Sequence, residues 1–184
     1  MKTISVELKN GAIVQGDEFD KEDYRKLKDI FKKWLEINKQ LKELNGRALN
    51  VPDVFSEALF CIFFNAVRTN NQPFAGSYDC VTKDTGEGVQ VKSASIPIDC
   101  TSFGPTSTWD ILYFIDLAPN GEVDGNIYFY EIDSSKIYSL VLNKKKNETF
   151  IDQQRQGRRP RFSIKNKIIK KYGVKPILKI NLLK

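Results

Sequence analysis

Ser77-Tyr-Asp-Cys-Val-Thr82 and Val89-Gln-Val-Lys-Ser-Ala94 are the two segments of the sequence that decide the fold. Both are rich in β-branched and aromatic residues, a composition that favours β-strands. The connection between them contains Gly86 and Gly88, which tolerate the positive φ angles of a tight turn. The sequence therefore predicts a β-hairpin here.

The polar side chains of this hairpin predict a metal site. Residues two apart in a strand share a face, so Gln90 and Lys92 emerge side by side, and pairing of the arms brings Asp79 next to them. Carboxylate, amide and backbone carbonyl oxygens are ligands that Mg²⁺ prefers. We expect Asp79, Gln90 and the Val91 carbonyl to bind the ion, with Lys92 beside it to hold a water or a phosphate oxygen. Glu87 is the substitute ligand if Gln90 faces away.

A second acidic residue lies in the apolar segment upstream. The run from Val51 to Arg68 predicts a buried helix with Asp53 as its N-cap. Glu57 is a carboxylate in this apolar helix, and burying it without a partner would cost several kcal/mol. Two alternatives remain open: Glu57 contributes to the metal site, directly or through a water, or it forms a salt bridge with Arg68 or a lysine.

The remaining segments predict a mixed sheet flanked by helices in one domain of 184 residues, an α/β (α+β) fold. The predicted elements are an amphipathic helix over 21–44, strands over 109–117 and 125–132, a short helix over 134–142, a polar loop over 144–161, a basic helix over 162–172 and a strand after Pro176.

Composition excludes several classes of function. There is no histidine, which rules out Ser-His-Asp and Cys-His catalysis. The three cysteines, Cys61, Cys80 and Cys100, lack paired spacing, and we expect reduced thiols. No secretory signal and no run of about 18 apolar residues occurs, so we expect a soluble, cytoplasmic protein that does not cross a membrane.

Charge is distributed unevenly along the chain. From Lys144 to the end there are fourteen lysine or arginine residues and two acidic ones, a net charge of +12. Because the whole chain has a net charge of +6, residues 1–143 carry −6. A basic segment of this kind, 144–184, suits the phosphates of nucleic acid, with a solvated surface as the plain alternative. The predicted DNA-binding residues are Arg155, Arg158, Arg159, Arg161, Lys165 and Lys167, with arginine able to read guanine and lysine suited to phosphate.

The arrangement of Glu57, Asp79 and Gln90-x-Lys92 resembles the PD-(D/E)xK nuclease superfamily. From about residue 20 the chain resembles the type II restriction endonucleases of that superfamily that cut GCNGC. The resemblance implies that Glu57, Asp79, Gln90 and Lys92 form the catalytic site, that Mg²⁺ is the cofactor with Mn²⁺ as a substitute, and that no nucleotide cofactor is used. Two departures are Tyr78 where proline is usual, and Gln90 where an acid is commoner.

A palindromic site cut in both strands implies a homodimer on double-stranded DNA, for which helix 21–44 is a candidate interface. Two other functions fit the sequence: a repair or recombination nuclease that recognises DNA structure, and a non-catalytic DNA-binding protein in which Asp79 and Lys92 form a simple salt bridge.

Overall fold

An eight-stranded mixed sheet forms the centre of the computed structural model, which describes residues 1–69 and 77–184. The spatial order of the strands is β1-β2-β3-β4-β5-β7-β8-β12. Their bounds are β1 Lys2–Glu7, β2 Ile13–Glu18, β3 Ala66–Arg68, β4 Cys80–Thr82, β5 Gly88–Ala94, β7 Ile111–Asp116, β8 Asn126–Ile132 and β12 Leu178–Asn181. Two small sheets pair β6 (Thr101–Ser102) with β11 (Arg161–Phe162) and β9 (Val141–Asn143) with β10 (Glu148–Thr149).

The predicted hairpin is confirmed as β4 and β5, which pair antiparallel with Cys80 opposite Val89. Its turn needs a glycine at position 86, where φ is +66° and an added Cβ would lie 2.5 Å from the Glu7 carbonyl oxygen. On its other side β5 runs parallel to β7. The predicted strands 109–117 and 125–132 are confirmed within two residues by β7 and β8.

Helix α1 spans Lys21–Glu43, close to the predicted 21–44, and begins at a capping box between Asp20 and Asp23. Its first half packs through Leu27 and Phe31 against α2 (Asp53–Phe63). The shorter helices are α3 (Ser134–Tyr138) and α4 (Phe150–Arg155). A π-helical segment, Lys165–Lys170, is the predicted basic helix and is called the basic helix below.

The predicted helix 51–68 is too long. It ends at Phe63, and the chain then turns at Asn65, whose φ is +48°, and continues as strand β3. Asparagine adopts this left-handed conformation more readily than most residues, which permits the sharp change of direction. Arg68 therefore belongs to the sheet and not to the helix. The N-cap is Pro52, and Asp53 makes no side-chain capping bond.

Two further predictions need correction. The segment 144–161 is not a plain loop, because it contains β10 and α4, and a capping box between Thr149 and Asp152 starts α4. The predicted helix 134–142 stops at Tyr138, and the chain continues into β9. The hairpin of β1 and β2 had no sequence-based prediction.

The core lies on both faces of the sheet. One face packs α1 and α2 against residues such as Val89, Val91 and Ile115, and the other packs Phe103, Trp109 and the basic helix against β7 and β8. Alternation along β5 then assigns Gln90 and Lys92 to the face away from α2. Among the described residues, no helix is long and apolar enough to cross a membrane.

Candidate active site

Asp79 immediately precedes β4, and its carboxylate lies against the neighbouring strand β5. One carboxylate oxygen, Oδ2, accepts hydrogen bonds from the side-chain amide of Gln90 and from the Val91 backbone NH, the latter at 2.8 Å. The structure therefore brings together Asp79, Gln90 and Val91, as the sequence predicted. Burial raises the pKa of Asp79, and the charge of Lys92 and these two hydrogen bonds act in the opposite direction.

Gln90 is 4% exposed and donates its amide NH to Asp79. The amide thus holds one oxygen of the carboxylate in place and adds no charge beside it. The NH and the carbonyl of one residue point to the same side of a strand, so the Val91 carbonyl also faces the edge where Asp79 lies. Glu87, the predicted substitute ligand, is occupied elsewhere: it accepts from Lys9 at 2.7 Å and from Thr85 at 2.8 Å.

Lys92 is partly exposed and lies two residues beyond Gln90. Its ammonium lies 6.0 Å from the centroid of the Phe103 ring. Within residues 1–69 and 77–184 it forms no salt bridge, although its charge lowers the pKa of Asp79. The simple Asp79–Lys92 ion pair of the non-catalytic alternative is therefore absent from the structure, and the ammonium is available to an anion.

Glu57 is 8% exposed and forms an ion pair with Arg68, whose Nε donates to Glu57 Oε2. This is one of the two alternatives that the sequence left open. It does not exclude the other, because burial still raises the pKa of Glu57 against the effect of Arg68. The charge of Asp79 raises it further, so that the two carboxylates are close enough to repel each other.

Asp53 is a residue of this site to which sequence reasoning gave only a capping role. Its charge raises the pKa of both Glu57 and Asp79, and it is exposed at the first turn of α2. Its position one helical turn before Glu57 was the signal available in the sequence. Three carboxylates therefore share a region with the cations Arg68 and Lys92, which leaves an excess of negative charge.

A cleft of about 430 Å³ lies beside this cluster, although Asp79 and Arg68 are not among its lining residues. Asp53 and Glu57 line it from α2, and Lys92 lines it from β5. The Ser56 hydroxyl, beside Glu57, is buried there without a hydrogen-bond partner among the described residues. The remaining lining residues are Asn50, Val51, Val91, Ser93, Ala94, Ser95, Ile96, Asp99, Cys100, Thr101, Ser102 and Leu117.

The donor set fits a hard divalent cation that keeps several waters. In the part of the chain that is described, no three acidic or cysteine side chains converge closely enough to hold a metal by themselves. Mg²⁺, however, commonly takes one or two carboxylates and completes its shell with water and phosphate. Two partly desolvated, mutually repelling carboxylates and a strand carbonyl meet that requirement, since a cation would relieve the repulsion.

The predicted DNA-binding role of Lys165 does not fit the position of this side chain in the structure. Lys165 is 6% exposed, and its ammonium lies 2.6 Å from Asp116 Oδ1 and donates to the Ile96 carbonyl at 2.9 Å. A buried cation needs such a partner, which explains why this lysine points inward from a basic segment. Lys167, two residues further on, is exposed.

The four predicted arginines all have exposed positions. Arg158 is ion-paired with Glu148 at 2.6 Å, and Arg155 lies 4.0 Å from Asp152. Arg161 lies opposite Ser102 in the β6–β11 pair, and Ser102 lines the cleft. Strand β11 therefore brings one predicted arginine to the edge of the cleft that contains Lys92.

Comparisons with known proteins show the family of the chain. The family model described as Bsp6I restriction endonuclease matches residues 19–171. The type II restriction enzyme Bsp6I of Bacillus sp. (strain RFL6) is 33% identical to the chain over 171 residues, which cover 90% of this chain and 93% of the relative. No solved structure matches the chain significantly. These findings confirm the resemblance to type II restriction endonucleases: the chain belongs to the Bsp6I family of type II restriction endonucleases.

Proposed function

We propose that the chain hydrolyses both strands of double-stranded DNA at a short GC-rich palindrome, GCNGC, in a Mg²⁺-dependent reaction that leaves 5′-phosphate and 3′-hydroxyl ends. The observation that carries this proposal is the pair of desolvated, mutually repelling carboxylates of Asp79 and Glu57, beside a cleft that Glu57 and Lys92 line. Among the described residues, Lys92 forms no salt bridge. Family membership supports the reaction class. We assign the chain to the PD-(D/E)xK fold on the same residues.

Asp79, Glu57 and the Val91 carbonyl would hold Mg²⁺, or Mn²⁺ as a substitute, with Glu57 acting directly or through a water. When bound, the cation lowers the pKa of a coordinated water and neutralises charge on the phosphate. In the hydrolysis, water adds to phosphorus, the bond from phosphorus to O3′ breaks, and the 3′-oxygen takes a proton.

The remaining side chains of the site have positioning and charge roles. Lys92 would donate to a non-bridging phosphate oxygen, because its ammonium is partly exposed and its charge lowers the pKa of Asp79. Gln90 keeps Asp79 in one orientation through its amide NH. Arg68 balances the charge of Glu57 and so offsets the cost of burying this carboxylate.

We keep five of the six residues that the sequence predicts to contact DNA. Arg155, Arg158, Arg159, Arg161 and Lys167 stay in the proposal, because their side chains are exposed. Arg161 is the first choice, since β11 lies beside the cleft. Arg158 must break its contact with Glu148 before it can read a base.

We further infer that the chain acts as a homodimer in the cytoplasm, without a nucleotide cofactor. A palindrome presents the same sequence on both strands, so two copies supply one site to each. Ile30 and Ile37 of helix α1 and Leu44 at its C-cap are exposed at seven-residue intervals, a spacing typical of helices that pack on helices. Light scattering should give twice the monomer mass for the wild type and the monomer mass for an Ile30→Lys/Ile37→Lys variant.

The test of the main proposal is incubation of plasmid with the protein in Mg²⁺ and in EDTA, followed by sequencing of fragment ends. Discrete, Mg²⁺-dependent ends at GCNGC are expected, and random nicks would point to a nuclease that recognises structure. Asp79→Ala and Lys92→Ala should abolish cutting while binding in Ca²⁺ persists. Lys179→Ala is a matched control, because Lys179 also lies over an aromatic ring, that of Tyr128, on the same sheet. Cleavage by both site variants would show that the assigned site is wrong.

A further inference from the structure

The loop between β5 and β6 exposes apolar residues at the mouth of the cleft. Ile96 and Ile98 are 53% and 67% exposed, and Pro97 between them is exposed too. Ile96 also lines the cleft, four residues beyond Lys92. Exposed apolar residues are common singly, but three in succession beside a candidate catalytic site indicate a contact surface.

This apolar tip is held rigidly from beneath. On one side, the Ile96 carbonyl accepts from the buried ammonium of Lys165 at 2.9 Å. On the other side, the Asp99 carboxylate is 4% exposed and accepts from the Ile164 NH at 2.7 Å and from Ser163 Oγ at 2.7 Å. A tip fixed at both ends loses little conformational entropy when it meets a partner.

Two cations near the tip suit a polyanion as that partner, because the cation of the proposed metal site would balance the carboxylates of the cleft. Lys92 lies on the strand that leads into the loop, and Arg161 lies on β11, whose partner β6 follows the loop directly. A tip that is apolar in itself and flanked by cations suits the groove of a nucleic-acid duplex. There the cations meet phosphates, and isoleucine or proline contacts the faces and edges of bases.

We propose that Ile96-Pro97-Ile98 is an apolar wedge that enters a groove of the substrate duplex and unstacks a base step next to the phosphate held at Lys92. This proposal rests on the proposed function. It extends that function by naming the base step of the duplex that the protein deforms. It also assigns a role to the buried pair of Lys165 and Asp116, which supports the wedge from inside the protein.

The experiment uses duplexes that contain the site found by fragment-end sequencing, with 2-aminopurine placed at each position in turn. Calcium replaces magnesium so that DNA binds without being cut. Fluorescence of 2-aminopurine rises when a base step opens. The full-length wild type is compared with Ile96→Ala/Ile98→Ala. Ile177→Ala is the matched control, because Ile177 is 52% exposed and also follows a proline, but does not line the cleft.

The wild type and Ile177→Ala should raise the fluorescence at one step of the site. The double variant should lose that rise and bind the duplex roughly tenfold more weakly, in proportion to the apolar contact removed. Its melting temperature should match that of the wild type, because both isoleucines are exposed.

Two results would overturn the wedge. The first is an unchanged fluorescence rise in the double variant, with affinity within about twofold of the wild type. The second is a halved particle mass for the double variant, which would make the tip a contact between two copies of the chain. Failure of the proposed function is a separate result: the wild type itself would then leave the plasmid uncut in Mg²⁺.

Discussion

Replacing Lys165 with methionine tests whether this lysine supports the fold or contacts DNA. The change keeps most of the side-chain volume but removes the ammonium that lies 2.6 Å from Asp116, where both side chains are 7% exposed. Removing one partner of a buried ion pair costs about 3–5 kcal/mol, since the other charge is left uncompensated. For a chain of this size, that loss lowers the melting temperature by roughly 6–20 °C.

The loss should depend on pH in a defined direction. Burial raises the pKa of Asp116 and Lys165 opposes that effect, so the pKa rises further in the variant. A raised pKa in the folded state means that folding favours the protonated acid. The destabilisation is therefore greatest above the raised pKa and shrinks as the pH falls through it towards the ordinary value of 3.8, because a neutral Asp116 needs no cation.

Melting curves and DNA binding should be measured together on three variants. Lys167→Met is the matched control. Its free energy of unfolding should lie within about 0.5 kcal/mol of that of the wild type. The slope of its DNA affinity against salt concentration should fall by about one phosphate contact. Lys165→Met/Asp116→Asn should recover much of the lost stability, because no buried charge remains and the amide oxygen can still accept from Ala118. If Lys165→Met has the melting temperature of the wild type and the DNA binding of Lys167→Met, Lys165 does not form the buried ion pair with Asp116.

Four further predictions concern the site and the basic segment. Asp79→Asn removes a desolvated charge and keeps a hydrogen-bond acceptor, so calorimetry in EDTA should show an equal or higher melting temperature; a remaining Mg²⁺-dependent increase would argue against Asp79 as a ligand. Gln90→Glu adds a carboxylate beside Asp79, so titration calorimetry should show tighter Mg²⁺ binding, and weaker binding would show that residue 90 faces away from the ion. Arg159→Ala should weaken binding to the cognate site by about 1–3 kcal/mol in fluorescence anisotropy if it reads a base. Arg158→Ala should cost less, since Arg158 already pairs with Glu148, and equal losses on random DNA would indicate phosphate contacts.

Much of the sheet is predictable because its signals are local. The hairpin of β4 and β5 follows from β-branched residues around Gly86, and β7 follows from a continuous apolar run. The end of α2 could not be placed, because an apolar run has no period that distinguishes helix from strand, and the break depends on the left-handed backbone of Asn65. Helix α4 was missed although Thr149 and Asp152 carry the spacing of a capping box.

The site was predictable where the strand pairing alone brings residues together, as for Asp79 and Gln90. Contacts between distant segments were not. The partner of Lys165 is Asp116, on a strand 49 positions earlier, and nothing near Lys165 in the sequence distinguishes it from the exposed Lys167. A basic segment predicts a positively charged surface. Tertiary packing, however, decides which side chains of that segment reach solvent.

The sheet order, which follows the chain apart from the strands placed in the small sheets, has a consequence for synthesis in the cell. Each strand can join a neighbour that the ribosome has already released, so the sheet can grow outward in one direction during translation. The residues of the candidate catalytic site are present once β5 has emerged, whereas the basic helix and β12 follow some 70 residues or more later. A nascent chain would therefore contain the candidate catalytic residues before most of the basic segment proposed to bind DNA has been synthesised.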